Sequence, residues 1–253
     1  KNVFEGDFMI FAAGALAGPN FEGSKQMVAI PAAAVAGRIG GVSISPRAAG
    51  VALGFSLTKP GARVSFSLGP VLRFRSNRSG TIKDPVVASL GKLRGVIESG
   101  FNLGVTARKV LNGHDQLSAG VDFRWDVSKR GGGGVISPSV SYLTPLSRAQ
   151  VVGVLLSADF GNKRFAEYNY NVSAAGSAAS GLPVYSARGG LKSFSAGVFT
   201  GRDFDGNLLN GGLSVAVGAM YSRLTGSAAE SPITRQRGRR GQWVAGGGLA
   251  YVI

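Results

Sequence analysis

Residues 117–127 read Leu-Ser-Ala-Gly-Val-Asp-Phe-Arg-Trp-Asp-Val, with an apolar residue at every second position. Leu117, Ala119, Val121, Phe123, Trp125 and Val127 share one parity; Ser118, Gly120, Asp122, Arg124 and Asp126 share the other. Successive side chains of a strand point to opposite faces, so this segment is a strand. One face is wholly apolar and ends in two large aromatics, while the other carries both signs of charge. A soluble sandwich and a membrane barrel both produce such alternation. The choice turns on whether it recurs without helices to cover it.

It recurs along the whole chain with hardly a helical period between repeats. Val64, Phe66, Leu68, Pro70, Leu72 and Phe74 alternate with small or basic residues, as do Phe101, Leu103, Val105 and Ala107. Ile136 to Tyr142, Val152 to Phe160, Leu213 to Tyr221 and Trp243 to Ile253 repeat the pattern. Strand segments fall at about 7–17, 26–36, 41–58, 62–75, 96–109, 116–128, 134–145, 150–160, 187–202, 208–223 and 241–253. The segment 41–58 changes phase: Val42, Ile44 and Ala48 are even, whereas Val51, Leu53, Phe55 and Leu57 are odd. A phase slip means a bulge or two strands. Splitting near Ala49-Gly50 gives twelve strands, an even number as single-chain bacterial barrels have; ten is the alternative if the first segment lies elsewhere.

Lys59-Pro60-Gly61, Asn112-Gly113 and the run Gly131 to Gly134 supply hairpin chemistry. Gaps at roughly 76–93, 161–184 and 225–240 are longer. Long loops on one side with short turns on the other, and strands of about ten residues, mark a transmembrane barrel. A large sandwich could bury the apolar faces against each other. Its outer faces would carry far more Lys and Glu than the Gly, Ser and Ala seen here, which suit a narrow lumen. The sequence therefore predicts an all-β fold, a single antiparallel transmembrane barrel spanning residues 1–253.

Composition narrows the function. Forty glycines in 253 residues are more than twice the usual share. Cysteine is absent, which excludes disulfides, thiolate metal sites and thiol nucleophiles. The formal charge of +15 predicts attraction to polyanions, but the basic residues are not interleaved with aromatics, so nucleic acid is not expected. No apolar run reaches the roughly 18–20 residues of a membrane-spanning helix. The chain opens at Lys1 rather than methionine, which fits a removed signal peptide.

The C-terminus, with Gly248, Tyr251 and terminal Ile253, resembles the sorting signal of outer-membrane barrels. Three further stretches resemble the MipA/OmpV family: Pro19-Asn20-Phe21-Glu22-Gly23-Ser24; Tyr170 through Ser180-Gly181-Leu182 to Tyr185 with Gly189-Gly190-Leu191; and Arg223 through Glu230-Ser231-Pro232 to Ile233. The resemblance runs from about residue 8 to 253. It implies a Gram-negative outer-membrane barrel, and for one member a scaffold role joining a lytic transglycosylase to a murein synthase. It implies no catalytic residue, cofactor or metal.

Candidate sites are charge clusters. Arg63, Arg73, Arg75, Arg108 and Arg124 share the lumen parity with Asp122 and Asp126. If that face is wet it favours anions, and the chain is a small anion-preferring pore; if the charges pair, they hold the lumen closed. Arg235, Arg237, Arg239 and Arg240, with Arg78 and Lys83, lie in gaps expected outside the cell, where arginine suits lipopolysaccharide phosphates. Phe123, Trp125, Tyr221, Trp243 and Tyr251 are expected in the membrane-interface girdle. His114, the only histidine, would have to serve any Ser-His-acid hydrolase, but Asn112-Gly113-His114-Asp115 reads as a turn at the barrel rim. No metal-ligand cluster or phosphate loop is legible. Lipid and lipopolysaccharide are the expected partners; nothing in the sequence sets the oligomeric state.

Overall fold

The computed structural model describes residues 2–59 and 61–253; Pro60, in the expected turn at 59–61, lies outside them. Twelve strands follow in chain order: β1 (Phe8–Pro19), β2 (Met27–Ile39), β3 (Val42–Arg47), β4 (Gly50–Ser56), β5 (Val64–Arg75), β6 (Val96–Arg108), β7 (Gln116–Asp126), β8 (Gly134–Pro145), β9 (Gln150–Gly161), β10 (Gly190–Asp203), β11 (Gly212–Leu224) and β12 (Gly241–Val252). Each pairs antiparallel with the next, and β12 returns to β1, closing the sheet into a barrel.

The phase slip at 41–58 is a hairpin. Val42 lies opposite Phe55 and Ile44 opposite Leu53, and the chain turns through Ala49 at φ 52°. Both parities thereby present apolar residues to the same outer face. That face is the exposed one: Leu72, Trp125, Leu156 and Trp243 are among its large apolar side chains left uncovered. No described helix is long and apolar enough to cross a membrane; the strands do so. Aromatic side chains pair on this outer face. Phe101 stacks on Phe123 at 4.8 Å between ring centroids, and Tyr221 meets Trp243 at 5.1 Å toward one end. Tyr251, opposite Phe11 on the closing seam, stands toward the other.

Long connections all leave the same end of the barrel, and the termini lie at the other. They contain short helices that the alternation gave no hint of: α1 (Pro85–Ala88), α2 (Lys163–Tyr170), α3 (Ala174–Ser180), α4 (Gly226–Glu230) and α5 (Pro232–Arg235). Asp84 caps α1, Asn162 caps α2 through the Phe165 N–H, and Ser173 caps α3. Gly181 ends α3 in the left-handed conformation at φ 73°. These segments fold over the barrel mouth as a lid with its own apolar packing. Phe165, Ala166, Tyr170, Ala187, Ala228 and Ala229 form one cluster, and Phe21, Val87, Val172, Leu182 and Ile233 form another.

The seam between β1 and β12 is glycine against glycine. Gly14 lies opposite Gly248, and a Cβ on Gly14 would fall 2.2 Å from the Gly247 carbonyl oxygen and 2.6 Å from Gly248 Cα. Both obstacles are backbone and cannot swing aside. Gly14→Val is therefore expected to cost about 1–3 kcal/mol of closure energy and to lower the fraction of heat-modifiable, folded barrel after refolding; full recovery would contradict this account of the seam.

Candidate functional site

The register sends odd residues of β5 and even residues of β6 and β7 inward. Under the lid this inner face carries a chain of ion pairs. Arg75 Nε donates to Glu98 Oε1 at 2.6 Å, and Arg124 Nε stands 3.4 Å from Glu98 Oε2. Arg124 Nη1 reaches Asp122 Oδ2 at 3.1 Å, and Arg47 grips Asp122 with Nε at 2.7 Å and Nη2 at 3.0 Å. Beside them Lys192 bridges Glu22 at 2.8 Å and Asp159 at 2.9 Å. Glu98 and Arg124 are almost wholly buried, so each depends on its partners: an uncompensated buried charge costs about 3–5 kcal/mol. Arg73, opposite Glu98 and Gly50, makes no ion pair or side-chain hydrogen bond among the described residues.

The same network fastens the lid. Arg75 Nη1 donates to Asn169 Oδ1 at 2.8 Å and Nη2 to the Gly132 carbonyl at 2.9 Å, while its guanidinium lies 4.5 Å over the Phe165 ring. Tyr170 Oη donates to Glu22 Oε2 at 2.6 Å, and Ser231 Oγ to the Tyr170 carbonyl at 2.8 Å. Burial and the neighbouring Glu22 raise the Tyr170 phenol well above its usual value, so it remains a donor. Farther out, Arg237 clasps Asp84 at 3.0 Å.

Of the seven residues on the lumen parity, Arg73, Arg75, Asp122 and Arg124 come together beneath the lid. Arg63 and Arg108 do not: they stand at the opposite rim, where Arg63 Nη2 donates to Lys109 O and Arg108 Nη1 to Ala62 O, stitching neighbouring turns. Arg63 precedes β5 and Arg108 is the last residue of β6, so both side chains lie at the rim. Asp126 accepts the N–H groups of Ser128, Arg130 and Gly132 and so shapes the 127–133 connection. Among the basic residues expected to face lipopolysaccharide, Arg78 is instead buried in the lid against the Asn169 carbonyl at 3.2 Å; burial pushes its guanidinium down to about 10. Arg237 is committed to Asp84, while Lys83, Arg235, Arg239 and Arg240 are exposed.

Arg47, Glu98, Asp159 and Lys192 complete the network unannounced. Glu98 continues the inner parity of β6, and parity alone would have found it. Lys192 sits where the β9–β10 register shifts between Leu191 and Ser193, so counting positions could not. His114 lies on an exposed turn, its N–H bonded to Asn112 Oδ1 at 2.9 Å. No described group of three His, Asp or Glu residues is placed to hold a metal.

A closed twelve-strand barrel with a lipid-facing apolar belt and a charged interior is an outer-membrane β-barrel, its long loops extracellular and its short turns periplasmic. The chain belongs to the MipA family: the family described as MltA-interacting protein MipA matches residues 11–253. No curated protein matches it. Among solved structures, Pseudomonas aeruginosa OccK11 (OpdR) is similar at 10% identity and TM-score 0.34, covering 98% of this chain and 95% of that one. The outer membrane channel DcaP of Acinetobacter baumannii is similar at 9% identity and TM-score 0.34, covering 98% and 96%.

Two lid carboxylates respond to acid. Burial opposes ionisation of Asp84, but the Arg237 guanidinium and the Val86 and Val87 N–H groups outweigh it and hold the carboxyl below its ordinary value. Glu22 is likewise lowered: burial opposes, and Lys192 and Tyr170 prevail. A depressed carboxylate stabilises the fold above its unfolded pKa, about 4, and that contribution is lost as pH falls through the folded value. In planar bilayers the protein is expected to be silent at pH 7, with conductance appearing only below about pH 4; steady steps at pH 7 would refute the lid as a barrier.

Proposed function

We propose that this protein is a non-enzymatic, non-conducting barrel that holds a murein-processing enzyme at the inner face of the outer membrane. One observation carries this reading: the extracellular mouth is covered by a packed lid, while the periplasmic turns present bare apolar side chains. Leu111 is 80% exposed, Phe204 62% and Leu146 61%, each on a different turn beyond the strand ends. Apolar groups gathered on one rim in this way suit a protein partner. Arg63, Arg108 and Lys109 add positive charge among them. The family description names MltA as an interacting protein, and a scaffold that also holds a murein synthase extends the same reading. The lid disfavours the small anion-preferring pore, and exposed His114, whose side chain has no hydrogen-bond partner among the described residues, offers little to a hydrolase.

In the same envelope setting, Lys83, Arg235, Arg239 and Arg240 stand on the outer surface of the lid, where the phosphates of lipopolysaccharide lie. We read this group as its electrostatic contact.

Immobilised protein is expected to retain a purified lytic transglycosylase of the MltA type, and Leu111→Ser/Leu146→Ser/Phe204→Ser to retain at least tenfold less while keeping heat-modifiable migration. Equal capture by the triple variant would overturn the rim as the docking surface. Replacing Arg235, Arg239, Arg240 and Lys83 by serine should lower co-purified lipopolysaccharide severalfold; an unchanged amount would refute that contact.

A further inference from the structure

We propose that the wall between β2 and β3 is a lateral port, through which a single-chain anionic amphiphile moves between the lumen and the outer leaflet. Every other neighbouring pair of strands is joined by at least five paired residues. β2 and β3 share three, from Gly37 opposite Ile44 to Ile39 opposite Val42. Beyond Gly37, β2 continues through residues 27–36 paired with β1 alone, while β3 ends at Arg47 and turns back into β4. Pro31 and Pro46 have no N–H to give to a ladder.

A lapse elsewhere in the wall is repaired. Where β4 and β5 part between the Ala52–Val71 and Phe55–Leu68 pairs, Asn102 Nδ2 donates to Leu53 O at 2.8 Å and to Gly69 O at 2.9 Å. Along β2 the one side-chain hydrogen bond to the bare backbone among the described residues is from Lys83 Nζ, 3.4 Å from Met27 O at its outer end. Hydrocarbon does not tolerate a row of unpaired amide groups, so this edge requires an occupant that brings polar groups or water with it.

The lumen defines that occupant. The inner faces of β11, β12, β1 and of β2 as far as Ala36 carry no charged residue. They present Met220, Val244, Leu16 and Ile30 among glycine and alanine. The opposite wall carries the ion-pair network, and the two halves meet at the port. On one side stands Ile30, inward by register yet 37% exposed. On the other stands Arg47, already bound to Asp122; farther along the inner wall, on β5 beside Gly50 and opposite Glu98, Arg73 makes no ion pair or side-chain hydrogen bond among the described residues. An acyl chain lies on the apolar half, and a carboxylate or phosphate head takes the Arg73 guanidinium in a bidentate grip. This inference is independent of the periplasmic rim.

The chain has no cysteine, so the port can be stapled. Val35→Cys/Pro46→Cys continues the β2–β3 row two residues past the last pair and closes it on oxidation or with a short bis-thiol linker. Oleate, lysophosphatidate and uncharged monoolein are added to the detergent-solubilised protein and adducts counted by native mass spectrometry. Expected are one-to-one adducts with oleate, lysophosphatidate or both, none with monoolein, at least tenfold weaker binding by Arg73→Gln, and loss in the stapled form with recovery on reduction. The charged probe that binds identifies the head group. Adducts with monoolein at equal yield, or binding indifferent to stapling or to Arg73→Gln, would overturn the proposal. Disulfide dimers of the Val35→Cys single variant in proteoliposomes would do the same, placing a second copy on the edge.

Discussion

A peptide group in hydrocarbon has no water to bind, and most of this molecule's architecture follows from that. Each strand needs a partner on both sides, so the sheet must close, and closure sets the rest. It requires the glycine seam of Gly14 against Gly248, where two backbones approach more closely than any side chain allows. It divides the residues of every strand into a lipid set and a lumen set. It also brings Arg75, Glu98, Asp122 and Arg124 into one enclosed space, where they can persist only by neutralising one another.

That enclosed charge then organises the lid. Arg75 is at once a wall residue and a lid residue, bound to Glu98 on the strand side and to Asn169 and Gly132 on the other. Lys192 plays the same double part between Asp159 of the wall and Glu22 of the first loop. The lid is thus a continuation of the barrel interior. Its apolar clusters exclude water from the ion pairs, and the ion pairs fix where the clusters sit.

The barrel was legible because alternation is a one-dimensional signal. The strict period of 117–127 is β7, and the slip at Ala49 is a hairpin because a change of parity has few physical causes. The lid was not legible in that way. Its helices are four to eight residues long, too short for a period, though Ser173 before an alanine-rich run and Gly181 after it are a start and a stop. Parity also misplaced side chains at strand ends. Arg63 and Arg108 keep the lumen phase but have run out of wall, and Arg78 lies in a loop that folds inward, so a basic residue expected at the surface is buried.

The lid draws on five stretches of chain separated by most of the sequence: Glu22 meets Lys192 across 170 positions, and Gly23 meets Gln242 across 219. Bringing such distant segments together in an open chain carries a large loop-closure entropy, whereas strand pairing can proceed between neighbours. The part of the lid that ties Glu22 and Gly23 to Lys192 and Gln242 is therefore expected to order only once the first and last strands have met. Its ordering is a timestamp on the completed cylinder, and any lesion that delays the seam leaves the extracellular segments exposed to proteases for as long as the delay lasts.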